Sequence, residues 1–141
     1  MKNILISSNI KIVQAMKKLG QTGEKCLIVV DSNKKLLGTI TDGDIRRAIL
    51  KGLNIDLNIK SIYSNKPIIL RKEKYSLEEA KNLLRIHHNI LPIIDKNNVV
   101  IDYLSWEKVF GDIKQNKNLL KTSIVIMAGG KGDRLAPFTK V

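Results

Sequence analysis

Two stretches decide the fold: CLIVVDSNKKLLGTITDGDI at Cys26–Ile45 and ILPIIDKNNVVIDYLSWEKV at Ile90–Val109. They align without a gap, so that Asp31 falls on Asp95 and Thr41 on Ser105. Upstream, IKIVQAM aligns with YSLEEAK at a slightly larger separation, which indicates a one-residue difference in a loop. An internal repeat of this length predicts two copies of one supersecondary unit. Because neither copy is large enough to bury a good core alone, we expect the two to pack face to face.

Both copies predict the same order of elements. Each begins with a short apolar strand, at Ile4–Ile6 in the first copy and at Pro67–Leu70 in the second. Helical spacing then places apolar residues on one face, namely Ile12, Val13, Met16 and Leu19 in the first copy and Leu77, Ala80, Leu83 and Leu84 in the second. Ser76 and Glu79 have the spacing of a capping box at the start of the second of these helices.

Each copy ends with two β runs around a polar turn and a second helix. The runs are CLIVV and LLGTI in the first copy, ILPII and VVIDYL in the second, and the helices begin at Asp42 and Trp106. The predicted fold class is therefore α/β, or α+β: two βαββα repeats packed as a pseudo-two-fold module. A short strand and a glycine-rich loop follow at the end of the chain.

The stretch GTITDGDIRR places polar groups where a strand turns into a helix. Thr41 precedes the predicted helix, and Asp44 stands three residues on, on the same side of its first turn. A helix N-terminus favours an anionic or polar ligand group, and an ionised carboxylate suits the neighbouring hydroxyls of a ribose. Gly38 and Gly43 would allow a ligand to approach the backbone closely. The alternative is structural: Thr41 caps the helix while Asp42 and Asp44 complement its dipole.

The pattern VVDSNKKLLGTITDGDIRRAI resembles the cystathionine-β-synthase-type (CBS) regulatory domain, whose tandem pair is called a Bateman module. The resemblance covers nearly all of residues 2–115, with repeats at 1–58 and 59–118. It implies binding of an adenine nucleotide (AMP, ADP or ATP) by a regulatory module that usually forms homodimers. The positions that the resemblance assigns to this nucleotide are Lys25, Thr39, Thr41, Asp42, Asp44, Ser105 and Lys108.

The second copy departs from the pattern at three positions. Asp102 stands in the place of Gly38, Ser105 in that of Thr41, and Lys108 in that of Asp44. A lysine cannot accept a hydrogen bond from a ribose. We therefore expect the second site to be empty, weak, or tuned to another anion through Lys108.

The end of the chain, IVIMAGGKGDRLAPFTKV, resembles the opening of sugar-phosphate nucleotidyltransferases. The resemblance implies that Gly129, Gly130 and Gly132 wrap the phosphates of a nucleotide, and that Arg134 neutralises the pyrophosphate leaving group. Residues 119–141 would then be a linker and the truncated start of a catalytic domain. We expect this fragment to lack activity, since the residues that bind Mg²⁺ in that family would lie further on.

The composition of the chain limits which ligands and which cellular location we expect. The chain carries 25 Lys and Arg against 13 Asp and Glu, a formal net charge of +12, with the lysines spread along its length and few aromatic residues. We therefore expect solvated surfaces rather than a nucleic-acid site. The single cysteine, Cys26, favours a reducing compartment, and no apolar run could span a bilayer, so the expected location is the cytoplasm. His87 and His88 point in different directions on a helix and make a poor metal pair, and no catalytic or metal site is predicted.

Three functions remain open on these grounds. The first is a regulatory nucleotide-binding pair taken from a nucleotidyltransferase. The second is a ligand-free module that dimerises the same enzyme, and the third is a polyanion binder. The predicted dimer surface consists of apolar residues on the second helix of each copy: Ile45, Ala48, Ile49, Leu50, Val109 and Phe110.

Overall fold

The computed structural model describes residues 3–87 and 90–111, and these contain two copies of one βαββα unit. The first repeat consists of β1 (Leu5–Ser7), α1 (Ile12–Thr22), β2 (Cys26–Val30), β3 (Leu36–Thr41) and α2 (Asp42–Leu50). The second repeat consists of β4 (Leu70–Arg71), α3 (Leu77–His87), β5 (Leu91–Ile94), β6 (Val100–Leu104) and α4 (Trp106–Phe110). The predicted fold class and element order are confirmed. The first strand of each copy lies slightly later than predicted.

Each repeat builds a three-stranded sheet, in the orders β1-β2-β3 and β4-β5-β6. In both sheets the first pair of strands is parallel and the second antiparallel, with a register break at the same place in each copy. The turns also match: Asp31 Oδ1 accepts hydrogen bonds from the amides of Asn33 and Lys35, both at 2.8 Å. Asp95 accepts two amides in the same way. The repeat seen in the sequence is therefore a repeat of backbone geometry.

Strand pairing locates the one-residue difference between the copies. Ser7 pairs with Val30 and Arg71 with Ile94, so the first strand of each copy keeps the register of the gapless alignment. Ile12 and Leu77, the first residues of α1 and α3, are separated by one residue more than the equivalent strand positions. The second repeat therefore has one residue more between its first strand and its first helix, and the register is restored before β5.

The two repeats join at their β turns. The amide of Leu36 donates to the carbonyl of Asn98, the amide of Val100 donates to that of Lys34, and both distances are 2.9 Å. Leu36 aligns with Val100 and Lys34 with Asn98, so each bond is the repeat equivalent of the other, as a pseudo-two-fold axis requires. The larger core combines both repeats, since Ile90, Ile94, Val100 and Tyr103 pack into the cluster built by the first repeat.

The segment between the repeats is fixed to the first repeat at two places. The first amides of α1, at Ile12 and Val13, donate to the carbonyls of Leu57 and Ile55, which satisfies donors that a helix cannot pair internally. Further on, Ser64 exchanges two backbone hydrogen bonds with Thr39 of β3.

Close contact with this segment explains Gly38. A Cβ atom there would lie 2.1 Å from the carbonyl oxygen of Ser64 and 2.7 Å from the Tyr63 ring. The missing side chain of Gly38 therefore makes room for the connecting segment, which explains the glycine without the ligand contact that the sequence predicted.

Some predicted faces are corrected by the packing. Met16 is 42% exposed and Leu77 is 59% exposed, whereas Ala15 of α1 is fully buried. On α2, Ile45 and Ala48 are buried in the chain's own core, which leaves only Ile49 and Leu50 exposed on the predicted dimer surface of that helix. In the described ranges no helix has the length and apolar character needed to cross a membrane.

Candidate functional site

Thr41 and Asp44 hold each other at the start of α2. The Thr41 hydroxyl accepts a hydrogen bond from the Asp44 amide at 3.1 Å. Asp44 Oδ2 in turn accepts from the Thr41 amide at 2.8 Å and from its hydroxyl at 2.6 Å. This is a complete capping box with an aspartate in its third position. The capping interpretation of Thr41 therefore describes its contacts within the chain, and Thr41 also lines the open groove described next.

The other oxygen of Asp44 is bonded at the surface. Asp44 Oδ1 accepts from the guanidinium of Arg47 at 2.5 Å, and the Asp44 side chain is 19% exposed while that of Arg47 is 68% exposed. A carboxylate offers about four acceptor positions, of which these contacts use three. An exposed arginine has little to hold it in place. A ribose diol can therefore gain two acceptor positions on Asp44 if Arg47 moves aside.

An open groove of about 860 Å³ lies beside this capping box, between α1 and the start of α2. Lys25, Thr41 and Asp42 line it together, and the carbonyl of Lys25 accepts from the amide of Asp42 at 3.2 Å. Lys25 is exposed, and Asp42 pairs with Arg46 at 2.6 Å along the helix surface. Gly43 is not required for close approach, since a Cβ there would make only ordinary contacts at 3.6 Å.

Thr39, two positions before Thr41 on β3, is not among the residues that line the groove. Its amide and carbonyl both bond to Ser64, and its side chain contributes a hydrogen bond to Cys26. Burial raises the pKa of the Cys26 thiol to about 12, although hydrogen bonds from the Ile90 backbone and from Thr39 act in the opposite direction. Cys26 is therefore a neutral, buried thiol at the junction of the two repeats.

In the second repeat, Lys108 occupies the position equivalent to Asp44 and forms an ion pair with Asp102. Lys108 donates to Asp102 Oδ1 at 3.1 Å and to the carbonyl of Tyr103 at 2.8 Å, and its ammonium lies 3.6 Å from the centre of the Tyr103 ring. Burial raises the pKa of Asp102, but the Tyr103 amide and Lys108 outweigh it, so the net shift is downward. The two departures from the repeat pattern therefore neutralise each other. Ser105 keeps its capping role, accepting from the Lys108 amide at 3.4 Å.

A better enclosed cleft of about 370 Å³ lies between the repeats, next to the start of α4. Gly23, Glu24, Lys25 and Cys26 form one wall, and Ile90, Ser105, Trp106 and Glu107 form the other. Lys25 thus borders both this cleft and the groove beside Thr41. Sequence reasoning missed Trp106 as a cleft residue. Its indole is 43% exposed, and the available signal was its place directly after the capping Ser105.

Four predicted site residues fall outside the described ranges: Gly129, Gly130, Gly132 and Arg134. His87 is the last residue of α3. Over residues 3–87 and 90–111 no three His, Cys, Asp or Glu side chains come together as metal ligands.

Comparison with known proteins identifies the fold. Residues 1–51 match the family model of the CBS domain. An uncharacterized protein of Helicobacter pylori is 31% identical over 101 residues, which cover 71% of this chain and 31% of that protein. The chain spans less than a third of the length of the curated relatives it matches.

Two solved structures share the architecture of both repeats. A CBS domain protein from Pyrobaculum aerophilum complexed with AMP matches with a TM-score of 0.64 at 18% identity, covering 74% of this chain and 81% of that one. The CBS domain pair of the protein MJ0100, in complex with 5′-methylthioadenosine and S-adenosyl-L-methionine, matches with a TM-score of 0.65 at 24% identity, covering 77% and 90%. Residues 1–51 therefore match a CBS domain, and the described residues have the fold seen in CBS-pair structures.

Proposed function

We propose that this chain, a CBS domain followed by a second repeat of the same fold, is a regulatory module that binds an adenine nucleotide such as AMP, ADP or ATP. The observation that carries the proposal is the intact capping box of Thr41 and Asp44 beside a groove that also holds Lys25. Two proteins of the same fold are described with AMP or with adenosine derivatives bound. The module itself has no catalytic role in this proposal.

In this proposal each residue contacts a different part of the nucleotide. Asp44 would accept hydrogen bonds from the ribose hydroxyls after displacement of Arg47. The phosphates would lie near Lys25 and the first turn of α2, where a helix N-terminus favours negative charge. The second repeat would contribute no ribose contact, because Lys108 is bonded to Asp102 and Tyr103.

We further propose that the longer protein is a sugar-1-phosphate nucleotidyltransferase located in the cytoplasm. The support is the glycine-rich stretch with Gly129, Gly130, Gly132 and Arg134, whose residue types suit binding and charge neutralisation of a nucleotide's phosphates. In that protein Mg²⁺ would assist the transfer. The adenine nucleotide would regulate this activity, and this chain alone would not catalyse it.

The alternative function is a ligand-free dimerisation module of the same enzyme. The observation in its favour is that three acceptor positions of Asp44 already have partners inside the chain. Ile49 and Leu50, 38% and 81% exposed, form an apolar edge that a second copy would cover. We propose a homodimer in either case. Sedimentation at tens of micromolar should show it, and a strict monomer would contradict this part of the proposal.

A thermal-shift series on the full chain separates the two functions. AMP, ADP and ATP should raise the melting temperature, since a ligand that binds only the folded state must stabilise it. GTP and CMP should raise it less. No shift with any nucleotide would favour the ligand-free module.

The single tryptophan provides a second readout that locates the ligand. Trp106 lines the cleft rather than the groove beside Thr41. We expect AMP binding to change Trp106 emission only slightly. Strong quenching would instead place the adenine against the indole in the cleft between the repeats.

A further inference from the structure

A separate cavity of about 360 Å³ lies in the second repeat, between the turn after β4 and the turn after β5. Parallel pairing sets Arg71 beside Ile94, and the amide of Lys72 donates to the Ile94 carbonyl at 3.1 Å, so the two turns are held side by side. Four of the residues that line this cavity are cationic: Arg71, Lys72, Lys74 and Lys96. None of them belongs to the groove or to the cleft described above.

The charges of these four cations are not balanced by partners in the described part of the chain. Among residues 3–87 and 90–111, none of the four forms an ion pair or a side-chain hydrogen bond. Two acids share the cavity, Glu73 and Asp95, and Asp95 Oδ1 is used by the amides of Asn97 and Val99. Positive charges gathered around one small volume repel each other, and a bound anion would relieve that repulsion.

The first repeat contains a neutral version of the same cavity. It lies between the turn after β1 and the turn after β2, with a volume of about 570 Å³. Ser7 and Ser8 stand where Arg71 and Lys72 do, Ser32 corresponds to Lys96, and Lys74 is the residue that the longer turn of the second repeat adds. The acidic turn residue is retained in both, as Asp31 and Asp95. The four positive charges therefore distinguish the second repeat and are not required by the fold.

We propose that the basic cavity of the second repeat binds a small polyanion carrying two or three phosphate groups. A volume of about 360 Å³ admits such a molecule and not a nucleic-acid duplex. Lysine ammonium groups are compact donors for phosphate oxygens, and here they come from two turns on different sides of the volume. This binding does not depend on the nucleotide proposed at Thr41 and Asp44.

Inorganic triphosphate, which has no base or ribose, is the probe for this cavity. It would be titrated calorimetrically into the full chain at about 0.15 M salt, where charges more than ~8 Å apart are largely screened. The test variant removes three of these charges: Lys72→Ser and Lys96→Ser introduce the residues of the first repeat, and Lys74→Asn replaces the added lysine with a neutral residue. The matched control removes the same number of charges at exposed positions elsewhere, by Lys17→Gln, Lys51→Gln and Lys60→Gln.

We expect the test variant to lose about tenfold or more in triphosphate affinity, while the control stays within about twofold of the original chain. AMP binding should be the same in all three proteins. The reverse change should create a second site, so that Ser7→Lys, Ser8→Lys and Ser32→Lys together raise the stoichiometry from one triphosphate to two. Equal loss in the test and control variants, or no binding to the original chain, would overturn the proposal. So would displacement of triphosphate by a 20-nucleotide DNA strand at lower concentration, which would indicate a nucleic-acid surface.

Discussion

The starts of α2 and α4 occupy equivalent places in the two repeats, and their side chains differ in charge. At α2 a threonine and an aspartate bond to each other beside an open groove that also holds Lys25. At α4 a serine caps the helix, while the residue equivalent to Asp44 is Lys108, which folds back onto Asp102 and Tyr103 of β6. One backbone thus supports a carboxylate bonded to a capping threonine in one copy and a closed ion pair in the other. The fold therefore keeps its symmetry while the charge at this position is reversed.

We expect the largest difference in stability at Gly38 and Asp102. They occupy equivalent backbone positions, and only the position in the second repeat has room for a side chain. Gly38→Ala would push a methyl group into the Ser64 carbonyl and the Tyr63 ring. We expect a loss of about 3 kcal/mol or more in the free energy of unfolding, measured in urea.

Asp102→Gly is the reciprocal change and should cost less than about 1 kcal/mol, since it removes only a half-exposed ion pair. Similar losses for the two variants would show that the connecting segment is not held against β3 as described.

The caps of α2 and α4 should also differ in their contribution to the free energy of unfolding. As at Gly38 and Asp102, the larger loss is expected in the first repeat, but the difference should be smaller. Thr41→Ala removes hydrogen bonds at 2.6 and 3.1 Å, whereas Ser105→Ala removes one at 3.4 Å. We expect Thr41→Ala to lower the free energy of unfolding by about 1–2 kcal/mol, and Ser105→Ala by about 0.5 kcal/mol. Thr41→Ser is the control that should keep most of the stability. A larger loss for Ser105→Ala would mean that the second cap is the stronger one.

The ion pair of the second repeat predicts a small pH effect. The Asp102 pKa is lowered in the folded chain, so its contribution to stability is present above the unfolded value of 3.8 and is lost as the pH falls below it. Because both partners are partly exposed, the effect should be under about 1 kcal/mol and weaker at high salt. Urea unfolding from pH 6 to pH 3 should show a shallower decline for Asp102→Asn than for the original chain. Parallel curves would contradict the contribution of this pair.

Local patterns in the sequence predicted much of the fold. The two Asp turns, the strand runs and the start of α2 all depend on neighbours within a few residues, and these were correctly placed. Met16 was placed on the wrong face because helical spacing cannot tell which part of an apolar stripe the other elements cover.

Long-range contacts and pairings explain the parts of the site that were not foreseen. The packing constraint on Gly38 was not foreseen, because it comes from Tyr63 and Ser64 in the connecting segment, far from Gly38 in the sequence. The pairing of Asp102 with Lys108 was detectable, since two departures from one repeat pattern carried opposite charges. Trp106 was overlooked because its cleft forms only when the two repeats pack together.

The most direct test of the central claim compares Asp44 with its equivalent in the second repeat. Asp44→Ala and Lys108→Ala would each be titrated with AMP by calorimetry, after circular dichroism has shown that both are folded. Asp42→Ala serves as the control, because it removes a charge from the same helix turn without touching the capping box.

We predict that Asp44→Ala lowers AMP affinity by about ten- to a hundredfold, since it removes a charged hydrogen-bond acceptor from the ribose. Lys108→Ala and Asp42→Ala should change the affinity by less than about threefold, and the original chain should bind one AMP. A folded Asp44→Ala protein whose titration overlays that of the original chain would contradict the account, and Thr41 and Asp44 would then serve only to cap α2.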